Sequence, residues 1–315
     1  MAKFGPSTTG EEVVETFKDN LKGKSILITG PSDGGLGAET AVDLAAGSPS
    51  QIILAGRSLT KIQPVIERIN TANPGVKTDF IPLDLSSQDS VREAAAKINE
   101  IVDRLDLLIN NAGIMASPFA KTVDGIESQF GTNYVGHFLL TNLIMPKIVA
   151  AGPGSRVVHV SSSAHRMSDI RLKDWNFEDG AAYQPFKAYG AAKTAIILFS
   201  VSLAEQLKNR GIVSVSLHPG SIKTNLQVYM TPENRKEAAE LIVTNTGRPF
   251  PLPELKTMAE GCATTLVAAL DPAVPSGSYL EDCMVAEPEA YAIDKDNAQQ
   301  LWSLGENLVR QRFNW

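Results

Sequence analysis

Residues 25–37 read Ser-Ile-Leu-Ile-Thr-Gly-Pro-Ser-Asp-Gly-Gly-Leu-Gly. A short apolar run, Ser25–Thr29, ends in a glycine-rich turn, and from Leu36 to Ala46 the apolar residues recur at helical spacing. Glycines at such a turn let the backbone approach a pyrophosphate, and the helix that follows offers free N–H groups at the positive end of its dipole. A glycine-rich turn by itself can be a plain loop. The strand before it and the helix after it make it a dinucleotide site.

The same alternation continues along the chain. Gln51–Ala55, Lys77–Leu83, Leu105–Ile109, Arg156–Val160 and Ile212–Leu217 are short apolar runs. Helical stretches lie between them, near 59–70, 88–103, 124–150 and 188–209. Continuous apolar strands separated by helices imply a parallel sheet covered on both faces. Right-handed crossovers then make it one doubly wound, Rossmann-type α/β sheet. A length of 315 residues suggests about two domains, yet no Ser/Gly/Pro linker divides the chain. The reading is therefore a single domain over 1–315, with 1–22 a lead-in, 222–256 a substrate loop or lid, and 257–315 its C-terminal part.

Composition narrows the class. With 43% hydrophobic and 20% charged residues, the chain can build a sizeable core, which excludes disorder as its main state. A net charge of −6, from 29 basic and 35 acidic residues, lacks the basic footprint of nucleic-acid binding. Cys262 and Cys283 match no zinc spacing and cannot form a disulfide framework, which suits a reducing compartment. The polar start argues against a secretory signal, and no uncharged apolar stretch of about 18 residues suggests a membrane span. A cytoplasmic protein is expected. The four histidines, His137, His159, His165 and His218, show no metal-ligand spacing, so no metal is expected. His165, just after a run of serines, is a candidate for substrate contact.

The second strand bears on cofactor choice. NAD-preferring sites place an acid at its end to hold the ribose 2′-hydroxyl. Here the segment reads Leu-Ala-Gly-Arg57-Ser58, with a guanidinium instead. Its fork suits a 2′-phosphate, which favours NADP(H) over NAD(H).

Four further motifs follow in order: Asn110-Asn111-Ala112-Gly113, Val160-Ser161-Ser162, Tyr189-Gly-Ala-Ala-Lys193 and Pro219-Gly220-Ser-Ile222-Lys-Thr224. Together with the glycine loop they make the chain, from about residue 22 onward, resemble the short-chain dehydrogenase/reductase family. Leu172–Phe177, Ala188–Thr194 and Leu301–Leu304 are similar to its retinol dehydrogenase and WW-domain oxidoreductase branch. One departure stands out. The family's loop has three residues between its first two glycines, whereas Gly30 and Gly35 enclose four. Either the loop carries an extra residue or Gly34 takes the second glycine's place.

The resemblance implies roles. Gly30, Ser32, Gly35, Leu36 and Gly37 would cradle the pyrophosphate. Asp84, with Leu85 beside it, would hold adenine. Asn111, Ala112 and Gly113 would pass the adenosine ribose. Pro219, Gly220, Ile222 and Thr224 would flank the nicotinamide half. Lys193 would hold the nicotinamide ribose, Ser162 would bind the substrate carbonyl, and Asn133 would support a water and the lysine in a proton relay. Members of the family often pair through the helices carrying Asn133 and Tyr189, which leaves a homodimer or tetramer open.

Tyr189 and Lys193 can also be argued from chemistry. Reducing a carbonyl by hydride needs a proton donor for the developing alkoxide. A free phenol near pKa 10 is a poor acid–base partner at neutral pH, and an ammonium four residues along a helix favours the phenolate. Tyr183-Gln-Pro-Phe-Lys187 has the same spacing, but Pro185 interrupts it, so Tyr183 reads as a pocket wall or cap. Leu226, Val228, Tyr229, Met230, Leu241, Ile242, Phe250 and Leu252 suggest a greasy pocket over Ser162 and Tyr189. The expected activity is NADP(H)-dependent interconversion of an apolar ketone or aldehyde and its alcohol. A cofactor-binding sensor without turnover, and an enzyme coupling reduction to a non-redox step, are the alternatives.

Overall fold

The computed structural model describes residues 4–250 and 254–315. Helix α1 (Gly10–Phe17) comes first, capped by a reciprocal Thr9–Glu12 box. It packs so closely that a Cβ on Gly10 would collide with Cys262 Sγ and Leu266. Part of the lead-in, Gly10–Phe17, is thus a docked helix.

Six strands then alternate with helices: β1 (Ser25–Thr29), β2 (Gln51–Gly56), β3 (Lys77–Pro82), β4 (Leu107–Asn110), β5 (Arg156–Val160) and β6 (Val213–His218). The crossover helices are α2 (Leu36–Ala45), α3 (Leu59–Ala72), α4 (Gln88–Ile101), α5 (Ser128–Ala151) and α6 (Pro185–Leu207). Two-residue strands β7 (Ser221–Ile222) and β8 (Leu255–Lys256) pair in parallel at the base of an excursion that contains α7 (Pro232–Thr246). Helix α8 (Met258–Leu270) leads to β9 (Tyr279–Glu281) and β10 (Met284–Ala286), and α9 (Lys295–Leu308) is the last helix.

The main sheet has eight strands in the order β10-β9-β6-β5-β4-β1-β2-β3. Every pair is parallel except β9 with β10. From β1 the chain winds one way through β2 and β3, then returns to place β4 on the other side. Loops leaving the ends of β1 and β4 therefore diverge, and the crevice between them is where α/β sheets bind ligands. Strands β1, β2, β4 and β5 are buried along their whole length. The sheet separates two cores, one with Val91, Phe138 and Leu198, the other with Ala41, Ile62 and Leu266.

Two boundaries differ from the sequence reading for physical reasons. Helix α5 starts at Ser128 because the buried carboxylate of Glu127 accepts the N–H groups of Gln129 and Phe130. Helix α6 starts at Pro185, earlier than expected, because Gln184 caps Lys187 N–H and a proline in the first turn forfeits no helical bond. Beyond β6 the sheet gains β9 and β10, which the sequence pattern did not suggest.

Two stretches, Ser128–Ala151 and Pro185–Arg210, are long and apolar enough to cross a membrane by length and composition. Their apolar windows are 67% and 89% buried inside the protein, as core helices are. The face they present together is covered by the chain's own C-terminus. Tyr134 Oη donates to Leu301 O, and Trp315 Nε1 to Asn142 Oδ1. Trp302 lies edge-on to Phe138 with centroids 5.0 Å apart. Pairing with a second copy through this face would require removing α9 and the tail. Cross-linking in solution is expected to yield no contact between the α5 and α6 faces of two copies; such a contact would show that α9 and the tail are displaced.

Candidate active site

A cleft of about 1410 Å³ runs across the ends of β1, β4 and β5 and under the excursion carrying α7. Its geometry starts with one hydroxyl. Thr29 Oγ1, at the end of β1, accepts the backbone N–H groups of Asn111 (3.0 Å) and Ala112 (3.1 Å). It also lies 2.9 Å from His137 Nε2. The other ring nitrogen, Nδ1, is 2.9 Å from Asn133 O, a carbonyl that can only accept. Nδ1 must therefore carry the proton, Nε2 is the acceptor, and Thr29 donates to it. Burial pushes His137 down to about 4, so the ring is neutral.

The glycine loop accommodates its extra residue without moving the helix. Gly35 caps α2, and Gly37 stands so close to Asn111 that a Cβ would lie 2.4 Å from its Nδ2. Gly34, at φ +73°, takes up the additional residue in a left-handed turn, as Gly30 does at +67°. The first of the two arrangements is the one found. Asn111 serves this loop structurally: its amide donates to Thr29 O at 2.9 Å.

Most of the expected residues line the cleft. Gly30, Ser32, Gly35 and Leu36 form the floor after β1; Arg57 and Ser58 stand at the end of β2, Asp84 and Leu85 after β3. Asn111, Ala112 and Gly113 follow β4, while Pro219, Gly220, Ile222 and Thr224 form the far wall. Asp84 gives one carboxylate oxygen to Ser86 N and Oγ, at 2.9 and 2.7 Å. Gly37 and Asn133 lie behind the wall. Asn133 is fully buried, and its amide is consumed by Ile114: Oδ1 accepts the N–H at 2.9 Å, and Nδ2 donates to the carbonyl at 3.0 Å. It sits in a π-type turn, Gly131–Val135, a distortion that often accompanies functional positions.

Ser162, Tyr189 and Lys193 converge in the middle of the cleft. Close packing brings them together: a Cβ on Gly190 would come within 2.8 Å of Ala164 O, so only glycine lets α6 approach the turn after Ser162 so closely. Ser161 Oγ donates to Lys193 O at 2.8 Å, and Lys193 Nζ donates to Val160 O at 2.9 Å. Nζ lies 5.6 Å from the centre of the Tyr189 ring. Burial raises the Tyr189 phenol to about 12, while the neighbouring Ser162 hydroxyl acts in the opposite direction. Burial lowers Lys193 to about 7. Burial is the largest effect on the phenol, and the Ser162 hydroxyl is the group that opposes it.

Other expectations also change. His165 is fully buried and does not line the cleft. Its Nδ1 donates to Ser162 O at 2.8 Å and its Nε2 accepts Glu289 N–H at 3.3 Å, so it positions the serine instead of touching substrate. Tyr183 is no pocket wall; its hydroxyl bridges Gln129 and Ser117 O. Of the apolar set, Leu226, Val228, Met230, Ile242 and Phe250 line the cleft, Tyr229 and Leu241 do not, and Leu252 lies outside the described residues. Sequence reasoning missed Lys61, four residues beyond Arg57, and Phe186, three residues before Tyr189 on the same helix face. Met115, Met167 and His218 also line the cleft, with no sequence signal beyond their neighbours.

The segment after Ser162 is also bound to the excursion above it. Asn245, at the end of α7, donates to Arg166 O at 3.1 Å and to Tyr291 Oη at 2.9 Å, and Tyr291 donates to His165 O at 2.7 Å. Arg166 pairs with Glu281 at 2.9 Å, and Arg248 with Glu289.

A glycine-lined crevice at the switch point of a parallel sheet, with a tyrosine, a lysine and a serine at its centre, defines a nicotinamide-dependent oxidoreductase site. A profile of the short chain dehydrogenase family matches residues 24–175 and 178–235. The chain belongs to the short-chain dehydrogenase/reductase family, in its retinol dehydrogenase-like branch. It is 39% identical to the short-chain dehydrogenase/reductase prx1 of Penicillium roqueforti, over 97% of this chain and 92% of that one. It is 36% identical to human retinol dehydrogenase 13, over 93% and 86%. Among solved structures, an uncharacterized protein from Mycobacterium paratuberculosis matches 95% of this chain and 99% of its own, with a TM-score of 0.71 and 32% identity.

All four histidines are buried and held neutral, His137 and His218 at about 4, His159 and His165 at about 3, with burial the main cause. Each binds a proton in the unfolded chain below about pH 6.5, but not in the folded one until the pH reaches those lower values. Stability is therefore complete above pH 6.5 and falls as pH drops toward 3, at up to about 1.4 kcal/mol per pH unit for each histidine. Urea midpoints measured across this range check it; a flat profile between pH 6.5 and 4 would contradict the burial.

Proposed function

We propose that the protein is an NADP(H)-dependent oxidoreductase that interconverts an apolar ketone or aldehyde with its alcohol. The observation that carries this reading is the convergence of Ser162, Tyr189 and Lys193 where the glycine-lined half of the cleft meets an apolar chamber walled by Met115, Met167, Phe186 and Met230. Nicotinamide, when bound, supplies or accepts the hydride. The Ser162 hydroxyl polarises the substrate carbonyl, and the Tyr189 hydroxyl gives its proton to the developing alkoxide. Lys193, poised near neutrality, holds the nicotinamide ribose and returns the proton to Tyr189. Asn133 contributes by fixing Ile114 and the π-type turn behind Lys193, within the proton relay.

Arg57 supports NADP(H) over NAD(H). It is exposed at the cleft edge with Ser58 and Lys61 beside it, and no carboxylate ends β2. Two buried, free thiols, Cys262 and Cys283, support a reducing, cytoplasmic setting.

Two measurements test the reading. Tyr189→Phe is expected to lower carbonyl reduction, followed by NADPH absorbance, by about 10²- to 10⁴-fold while NADPH still binds. Tight NADPH binding with no turnover by the wild type on any carbonyl compound would favour a sensor. Arg57→Ala is expected to cut the preference for NADPH over NADH by about tenfold or more, the worth of a charge-assisted phosphate contact. An unchanged preference would remove Arg57 from the 2′-phosphate site.

A further inference from the structure

Three of the four buried histidines have evident work. His137 uses both ring nitrogens, on Thr29 and Asn133 O, and His165 uses both, on Ser162 O and Glu289 N–H. His159 lies 3.3 Å from the Asn110 amide and packs edge-on against Phe199, away from the cleft. Of the four, only His218 lines the cleft. It ends β6, directly before Pro219-Gly220. Leu217, one residue earlier, pairs with Val160 and belongs with it to the core of Ala41 and Leu266. Side chains alternate along a strand, so His218, like Ser161, turns to the opposite face, where α6 packs. Ser161 Oγ meets Lys193 O on that helix. The His218 ring is therefore on the side that carries Tyr189 and Lys193, and it is only 7% exposed.

Charged groups stand around this ring, and they satisfy one another. Arg166 pairs with Glu281 at 2.9 Å and Lys256 with Asp282 at 2.5 Å. Among the described residues neither ring nitrogen of His218 has a hydrogen-bond partner, and Nδ1 is sealed inside the protein. Burial keeps the ring neutral, so one nitrogen carries a proton and the other a lone pair. A buried N–H without a partner is rarer than an unused acceptor. The lone pair therefore belongs on Nδ1 and the proton on Nε2, the nitrogen left to meet the cleft. Ser162 and Tyr189 already serve one oxygen, that of the reacting carbonyl. His218 supplies a donor that a substrate with a single carbonyl leaves idle. Ser162 and His218 stand at the ends of adjacent parallel strands, about 4.8 Å apart, so the oxygens they serve lie only a few bonds from each other.

We infer that the substrate carries a second acceptor oxygen close to its reacting carbonyl, as in a vicinal dicarbonyl or a β-keto ester, and that His218 Nε2–H binds it. The reacting carbonyl rests on the oxidoreductase reading. The second oxygen stands on the placement of the His218 ring, so the two can fail separately.

Calorimetric titration of the NADP⁺ complex, which cannot reduce a carbonyl, tests the second oxygen without turnover. The ligands are a simple aliphatic ketone and a vicinal dicarbonyl and a β-keto ester of matching length. At least one of the doubly oxygenated ligands is expected to bind about 5- to 100-fold tighter than the simple ketone, and His218→Leu to erase that difference. His218→Gln, which keeps an amide N–H at a similar reach, should retain part of it. In turnover, His218→Leu should lower the ratio of kcat/KM for the oxygenated over the simple ketone by a similar factor. Nitrogen NMR of histidine-labelled wild type, with His218→Gln identifying the signal, should show Nε2 protonated, Nδ1 bare, and Nε2 shifting when the oxygenated ligand binds. That readout holds even if His218→Leu fails to fold. Equal binding of simple and oxygenated ketones by the wild type overturns the inference, as does a proton found on Nδ1. A variant His218→Leu that binds NADP⁺ more weakly but keeps the ligand preference would assign the ring to the nicotinamide and also overturn it. His218-dependent binding in a protein that turns over no carbonyl compound would uphold the second-oxygen site and sink the oxidoreductase reading.

Discussion

The Thr29 hydroxyl is the point from which the cleft is built. It takes two backbone N–H groups from the end of β4 and gives its own proton to His137, which in turn holds Asn133 O in the π-type turn of α5. One oxygen thus fixes the separation of β1 and β4, the path of the chain past Gly113, and the start of the helix behind Lys193. Its bonding capacity is fully used, because the accepting tautomer of His137 leaves both hydroxyl lone pairs for Asn111 and Ala112. Replacing it with an isosteric methyl would leave Ala112 N–H and His137 Nε2 without this partner, each costing about 1–3 kcal/mol where buried, while Asn111 N–H keeps its bond to Ile109 O. The glycine loop and Tyr189 lie on either side of this hub, which is why the nucleotide half and the substrate half of the cleft keep a fixed relation.

Burial sets the electrostatics of the centre. Tyr189 and Lys193 are both driven toward their neutral forms, so neither carries the full charge that simple helix spacing suggests. A neutral phenol is the form needed to protonate an alkoxide, and a lysine near 7 can release and recover a proton at little cost. The desolvation that opposes the phenolate therefore suits the reductive direction. The serine is held from two sides: its hydroxyl faces the phenol, and its carbonyl is fixed by His165.

Much of this could be read from the chain before its structure, for reasons that differ by element. Strands β1 to β6 announce themselves because burial on both sheet faces demands uninterrupted apolar runs. The positions of Tyr189, Lys193 and Ser162 in the cleft could be anticipated from motifs whose spacing is set within one helix or at one strand end. Strands β9 and β10 escaped notice because three residues are too few to show a period. The start of α5 was hidden because its cap is a buried glutamate, which composition alone would place on the surface. Asn133 could be located but not oriented; only the fold shows that its amide is spent on Ile114.

The excursion from β7 to β8 departs and returns at a two-residue parallel pair, Ser221 with Leu255 and Ile222 with Lys256. Everything between these pairs hangs from a closed base, so its length and content can change with little effect on the sheet. Loop-closure entropy grows only logarithmically, about 0.6 kcal/mol for each doubling of length. The wall over the cleft is thereby built largely apart from strand β5 and helix α6, which bring Ser162, Tyr189 and Lys193 together. Within such an architecture new specificities can arise by insertion or exchange in one segment, while the inherited chemistry is left in place.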